Sequence, residues 1–548
     1  MWRFFGAVAS RLGDEGDQSL VDSRPVTTPA AVADRIESEL APISTGVSRA
    51  WWDVNVAAND ENERRRVELE TALSDFLADG GRFAAIEAAR DGAEGLAERR
   101  LDLLRDAFLT KQIPTDLRSR IIELAVSVER RFSEHRGDVA GRRVDDNEIK
   151  QILRESDDGD ERRAAWEASK TVGALVADDV RELARLRNAA ARAVGYRDWF
   201  ALSVATSEMD EERLIATLDE ADAATAAPFA RWKAGLDERL AARFECSVTA
   251  LEPWHYADPF FQEVPAEGGV ELDPLFESAD LVELSRRTFD GIGLEIRGVL
   301  DRSDLLPREG KCQHAFCIDV DRSGDIRVLA NVVPGQYWMD TMLHELGHAS
   351  FDLGLDDALP WVLRSCHLVV TEGIAIMMGR LASDADWLER VLGIDPDVVA
   401  GMAGDLGAAR AAELLVFTRW VLVMTHFERS LYADPDSDLD ARWWELVERF
   451  QLVAPPSGRS NPDWAAKIHI ACAPVYYHTY LYGQIVASQL AATLKRECGG
   501  IVGRPAAGRL LTDRVFAPGL SVRWDQLIEQ ATGERLTATY FGQDIAAA

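Results

Sequence analysis

Lysine is nearly absent from this chain: only seven of its 61 basic residues are lysine. Basic charge as a whole is short, 61 residues against 93 acidic ones, and the formal net charge is -32 at pH 7. So acidic a surface repels phosphate, which excludes nucleic acid and anionic membrane as partners. A salt-adapted source or a GC-rich one would each account for both traits. Cysteine is scarce too. Cys246, Cys312, Cys317, Cys366, Cys472 and Cys498 form no CxxC pair and no regular framework, which points to free thiols in a reducing compartment. No apolar run approaches the length of a membrane-spanning helix. Residues 1–11 hold an apolar stretch too short for a signal peptide, so the expected location is the cytoplasm.

Histidine is rare as well, nine in 548 residues, yet two of the nine stand four apart in His344-Glu345-Leu346-Gly347-His348. This is a complete HExxH signature inside the helix-compatible run from Met339 to Ala349. Histidines four apart project from one face of an α-helix, so both imidazoles can reach one Zn²⁺. Glu345, next to the first ligand, can then take a proton from water at the metal's open position. The bland alternative is a buried helix whose polar residues satisfy one another.

With 47% hydrophobic and 28% charged residues the composition is that of an ordinary globular protein, and the length suffices for a large core. Residues 12 to about 45 are acidic and hold Pro, Ser and Thr, which reads as a loose lead-in. Beyond Trp51-Trp52, residues 61–77, 84–108, 163–194 and 206–243 place apolar side chains at intervals of three and four, the period of amphipathic helices. Residues 253–262 are aromatic and interrupted by proline, so they read as a structured loop. The clear β signal precedes the HExxH run: 315–320 and 326–333 flank the turn Asp321-Arg322-Ser323-Gly324 and predict a hairpin. A strand edge there would suit an extended peptide.

A catalytic zinc needs a third protein ligand. Glu372 is isolated in the apolar run from Val369 to Ala375, where an unpaired carboxylate is costly to bury. Coordination would resolve that cost, as would a salt bridge to Arg364 or Arg380.

Several segments together resemble the peptidyl-dipeptidase A family, whose best-known member is angiotensin-converting enzyme. Glu372 follows His348 by twenty-four positions, and the stretch Trp51 to Asn62 is similar to that family's early tryptophan segment. Cys312-Gln313-His314-Ala315 resembles its Cys-His-Ala segment, with His314 thirty residues before His344. Ala466-Lys467-Ile468-His469-Ile470 looks like its Ala-Lys-Phe-His-Ile segment, and Tyr476, Tyr477 and Tyr480 follow at nearly the family distance. The likeness spans most of the chain in short islands.

The resemblance implies a mainly α fold of the gluzincin type, a two-lobed helical ellipsoid around a deep central cleft with the hairpin beside the HExxH helix. Residues 46–548 would form that single domain behind a lead-in of residues 1–45. It implies one catalytic zinc held by His344, His348 and Glu372, with Glu345 as general base. His469 and Tyr480 would stabilise the oxyanion, and His314 with the Ala315 backbone would hold an extended peptide. Lys467, with Tyr476 or Tyr477 and with Gln262, would bind the terminal carboxylate, so that C-terminal dipeptides are released from short peptides. Departures are visible. The tyrosine cluster lies one residue further from His469 than in the animal enzymes, an edge towards oligopeptidases that cut internally. Thr479 or His478 stands where a chloride-binding arginine would be, Ile376 stands where an aspartate would brace a zinc histidine, and Cys312 has no cysteine partner near Ala330. Three other readings stand beside the dipeptidase: an oligopeptidase that would not need Lys467, a related helical carboxypeptidase, and a zinc-containing peptide-binding module without turnover. Glu345 argues against the last, since a binder needs no general base.

Overall fold

The computed structural model describes residues 28–265 and 271–546. It is mainly α, 71% helical, with two small two-stranded antiparallel sheets. The six cysteines are unpaired. No helix among the described residues is long and apolar enough to cross a membrane. By internal packing the chain divides into two compact units. Among the described residues, one takes 28–113, Glu271–Val399 and Val486–Leu536; the other takes 114–265, Ala400–Ile485 and 537–546.

The first unit opens on four helices, Pro29–Val56, Asp60–Ala78, Gly80–Arg90 and Gly95–Leu109. Residues 1–27 of the expected lead-in lie outside the described residues, but 29–45 are helical rather than loose. Thr28 caps the start through its side chain, a proline sits in the first turn where its missing N–H costs nothing, and Val32, Ile36 and Leu40 line one face. That face packs on Phe76, Ile86, Leu101, Leu104 and Phe108. The continuous helix read over 84–108 is broken at 91–94, where Gly92 and Gly95 adopt φ of 80° and 61°. The hairpin forms as Phe316–Asp319 against Ile326–Leu329, paired Phe316↔Leu329 to Asp319↔Ile326. It is shorter than the alternation suggested. The HExxH helix, Gln336–Leu353, follows it and packs on both strands. Asp273 receives the Gln336 N–H at 2.8 Å and so satisfies a donor at the helix start.

The second unit is built on Gly159–Ala193 and Glu211–Arg243. The latter starts later than 206 because Trp199–Thr206 is a separate helix, ended by Glu208 at φ 54° before Asp210 caps the next. A second hairpin, Gly137–Val139 with Arg142–Val144, went unforeseen: its turn, Ala140-Gly141, has both residues left-handed, a conformation alanine seldom signals. The 253–262 segment is the structured loop its composition implied, with one short 3-10 turn, Pro253–His255.

Candidate functional site

The first group of predicted residues lies in the first unit. His344 and His348 stand one turn apart, their rings 5.0 Å between centroids. Glu372 comes from the apolar helix Leu368–Gly379, and its two carboxylate oxygens lie 3.9 Å from the Nε2 atoms of His344 and His348 respectively. The donor atoms of all three residues lie within 4.8 Å of one another. Arg364 donates to Ser323 and Arg380 to Ser488. Glu345 is buried beside this group, 9% exposed.

Glycine makes the approach possible. A side chain at Gly347, on the same face as the histidines, would come 2.9 Å from the Ala375 Cα; one at Gly373 would meet Val486 at 2.3 Å. At Gly347 only bare backbone lets the HExxH helix cross the Glu372 helix so closely, and at Gly373 it lets the Glu372 helix pass Val486 on the helix His478–Cys498.

Two features suit a metal. Burial pushes the His344 imidazole down to about 4, which keeps it neutral and its lone pair available. His348 Nδ1 lies 2.7 Å from the Thr371 hydroxyl, so a proton on Nδ1 can be donated there and Nε2 left bare for coordination. Two imidazoles and one carboxylate are the donor set of an open catalytic zinc site. Thr371 is thus a hydrogen-bond partner of His348 that sequence reasoning missed; a threonine near a helix start carries no distinguishing mark in sequence. Thr371→Val removes the hydroxyl at constant shape. It is expected to weaken zinc binding by about 10–100-fold, measured by chelator competition, with the fold intact.

His314 lies in an exposed bend just before the first hairpin strand, and Ala315 follows half-buried. The segment is pinned at Cys312, whose N–H donates to the Asn55 carbonyl and whose carbonyl accepts from Asn331 Nδ2, both at 2.9 Å. The Trp51 ring packs against Phe316 at a tilt of 59°, centroids 4.2 Å apart, so the early tryptophan segment supports this edge.

The second group lies in the second unit. Lys467 is buried, donates to Gln262 Oε1 at 2.7 Å, and sits 5.3, 5.1 and 5.6 Å from the ring centroids of Phe260, Trp420 and Tyr477. Among the described residues no carboxylate lies within ion-pair distance of it, and burial pulls the ammonium down to about 8. Tyr477 therefore accompanies Lys467, whereas the Tyr476 ring packs on Tyr480 at 5.2 Å. Glycine again permits the placement: a side chain at Gly173 would come 2.5 Å from the Pro462 carbonyl, in the turn leading to Lys467. Gln262 is aimed by Asp258, a fully buried carboxylate that accepts the N–H groups of Phe260, Gln262 and Glu263 at 2.7, 2.8 and 3.0 Å. Sequence reasoning missed Asp258. It also missed Lys170, buried with its ammonium on the Pro259 carbonyl and 3.3 Å from the Phe260 ring centroid. The rarity of lysine was a signal that could have found the latter.

His469 lies 5.1 Å from Tyr477 and Tyr477 5.7 Å from Tyr480, ring centroid to centroid. Burial, aided by the Lys467 charge, lowers His469 to about 4, and its buried Nδ1 has no hydrogen-bond partner. The first group can hold a cation beside a carboxylate base. The second offers neutral hydrogen-bonding groups next to a buried ammonium.

The Peptidase M2 family model, described as angiotensin-converting enzyme, matches residues 27–224 and 303–540. The chain is similar to the angiotensin-converting enzyme of Theromyzon tessulatum, 24% identical over 241 residues that cover 41% of this chain and 38% of that protein. It is similar to that of Mesocricetus auratus at 23% over 240 residues, covering 41% of this chain and 18% of that protein. The aligned part thus spans less than two fifths of either curated relative.

Proposed function

Since the chain belongs to the angiotensin-converting enzyme family of peptidases, we propose that it is a zinc-dependent peptidase that releases dipeptides from the C-terminus of short peptides. The observation that carries the exo-acting part is Lys467. A buried ammonium without a carboxylate partner is costly, and a ligand's terminal carboxylate would compensate it. Gln262 and Tyr477 flank that ammonium and would complete the grip.

In this reading His344, His348 and Glu372 would hold one zinc ion, which when bound would supply Lewis-acid chemistry and a lowered pKa for water. Glu345 takes the proton from the attacking water and delivers it to the leaving amine. His469 and Tyr480 donate to the oxyanion as charge develops, a contribution usually worth about 3–4 kcal/mol per donor. A neutral His469 suits this role through whichever ring nitrogen carries the proton. His314 and the Ala315 backbone hold the peptide extended along the hairpin edge.

The test is mass spectrometry of products from an unmodified octapeptide and its C-terminal amide, with the zinc-loaded protein and with Lys467→Met. Sequential dipeptides from the free acid alone, and a loss of about 30-fold or more in kcat/KM in the variant, are expected, since leaving one partner of a buried charge pair alone costs roughly 2–5 kcal/mol. Internal cuts indifferent to amidation would make the protein an oligopeptidase. No cleavage by the zinc-loaded protein would leave a peptide-binding module.

A further inference from the structure

His469 and Tyr480 belong to one short stretch of chain, and two buried ionisable residues grip that stretch near its start and at its middle. Arg187, on the helix Gly159–Ala193, donates from Nη2 to the Ala471 carbonyl at 2.5 Å and from Nη1 to Tyr432 Oη at 3.2 Å and the Ile470 carbonyl at 3.4 Å. Glu428, on the helix Pro396–Ala433, accepts the Val475 N–H at 2.6 Å. The two side chains are 5% and 1% exposed.

Val475 is the unusual member. Its φ is 57°, in the left-handed region that a β-branched residue seldom enters. Such a conformation costs about 1–3 kcal/mol and persists only where the surroundings over-determine it. The chain turns there and delivers Tyr476 and Tyr477 immediately before the helix His478–Cys498 that carries Tyr480. A glycine would make that turn freely, and a leucine at 428 would fill the core without a buried acid. The acceptor satisfies the buried Val475 N–H, but that local gain does not require a strained valine or a buried acid. The pairing has a second consequence, for geometry, because the turn sets the rings of His469, Tyr477 and Tyr480 against one another at 5.1 and 5.7 Å.

We infer that Glu428, seconded by Arg187, is a positioning residue for the proposed reaction: its acceptor oxygen locks Val475 in the left-handed turn and thereby fixes the oxyanion donors. The inference rests on the reading of His469 and Tyr480 given above. Burial raises the Glu428 carboxyl to about 8, against the pull of the Val475 N–H and the Arg187 charge, so near neutral pH the side chain largely keeps its proton. Glutamine is then its close mimic, with an amide oxygen in place of the carbonyl oxygen. Aspartate keeps the acid but withdraws it by one methylene. Leucine removes the acceptor.

The experiment compares kcat, KM, zinc content and unfolding midpoint for the zinc-loaded protein and for Glu428→Gln, Glu428→Asp, Glu428→Leu and Tyr480→Phe, with the octapeptide as substrate. E428Q should keep kcat within about threefold. E428D and E428L should lose about 30–100-fold in kcat, as expected for donors displaced by an ångström or so, with KM and zinc content nearly unchanged. Should E428L fail to fold, E428D carries the test. Wild-type kcat in E428D, an E428Q as impaired as E428D, or losses that track KM, zinc content or the unfolding midpoint would overturn the inference. Tyr480→Phe separates the two levels of argument: full kcat there removes the oxyanion assignment and this inference with it, whereas a crippled Y480F beside an unaffected E428D removes this inference alone.

Discussion

Glu345→Gln should lower kcat/KM on the octapeptide by about 10³-fold while zinc remains bound at one per chain. The amide keeps the shape of the side chain but has no lone pair basic enough to accept the water proton, and general-base removal typically costs about 10²–10⁴-fold. Zinc should stay because the three residues proposed to hold it are elsewhere: His344 and His348 with Nε2 each 3.9 Å from a Glu372 oxygen, the carboxylate brought in from the neighbouring helix. Metal analysis beside the kinetics decides the matter. Full activity with zinc bound would mean that another group removes the proton. Loss of zinc would mean that Glu345, buried at 9% exposure, contributes to holding the ligand pair.

Glu372→Gln should have the second large effect, of a different kind. A neutral amide is a poor zinc ligand, so affinity should fall by more than about 100-fold, beyond what losing a supporting hydrogen-bond partner costs. Activity should vanish at low zinc. The metal-free protein, by contrast, should unfold close to the metal-free wild type, because the amide keeps the shape of the carboxylate at a partly exposed position. Chelator competition and a denaturation series on both metal-free proteins measure the two halves. Unchanged zinc affinity would assign the third ligand to another residue. A large destabilisation of the metal-free variant would make Glu372 a structural group.

How far the sequence alone reached depended on the range of the interaction. The HExxH pair was legible because helical periodicity fixes which residues share a face, and Glu372 because a lone carboxylate among Val, Ile and Met has few affordable explanations. Lys467 stood out against a background of arginine. The same contrast marked Lys170, but nothing near it in the sequence resembled a motif. The helix over 84–108 was misread because its glycine break lies between two stretches of matching period, and the helix at 29–45 because capping by Thr28 and a first-turn proline was hidden in a polar composition.

The choice between Tyr476 and Tyr477 shows the limit most plainly. Adjacent residues in a turn point different ways, and only the left-handed Val475, held by Glu428, sends Tyr477 to Lys467 and His469 while Tyr476 packs on Tyr480. Thr371 beneath His348 and Asp258 behind Gln262 were equally silent. By itself the sequence determined the local facts: helix faces, the hairpin turn, and which residue types are too costly to bury without a purpose. Tertiary structure decided which of those residues meet, because the close approaches at Gly173, Gly347 and Gly373 join segments through surfaces whose fit no local spacing specifies.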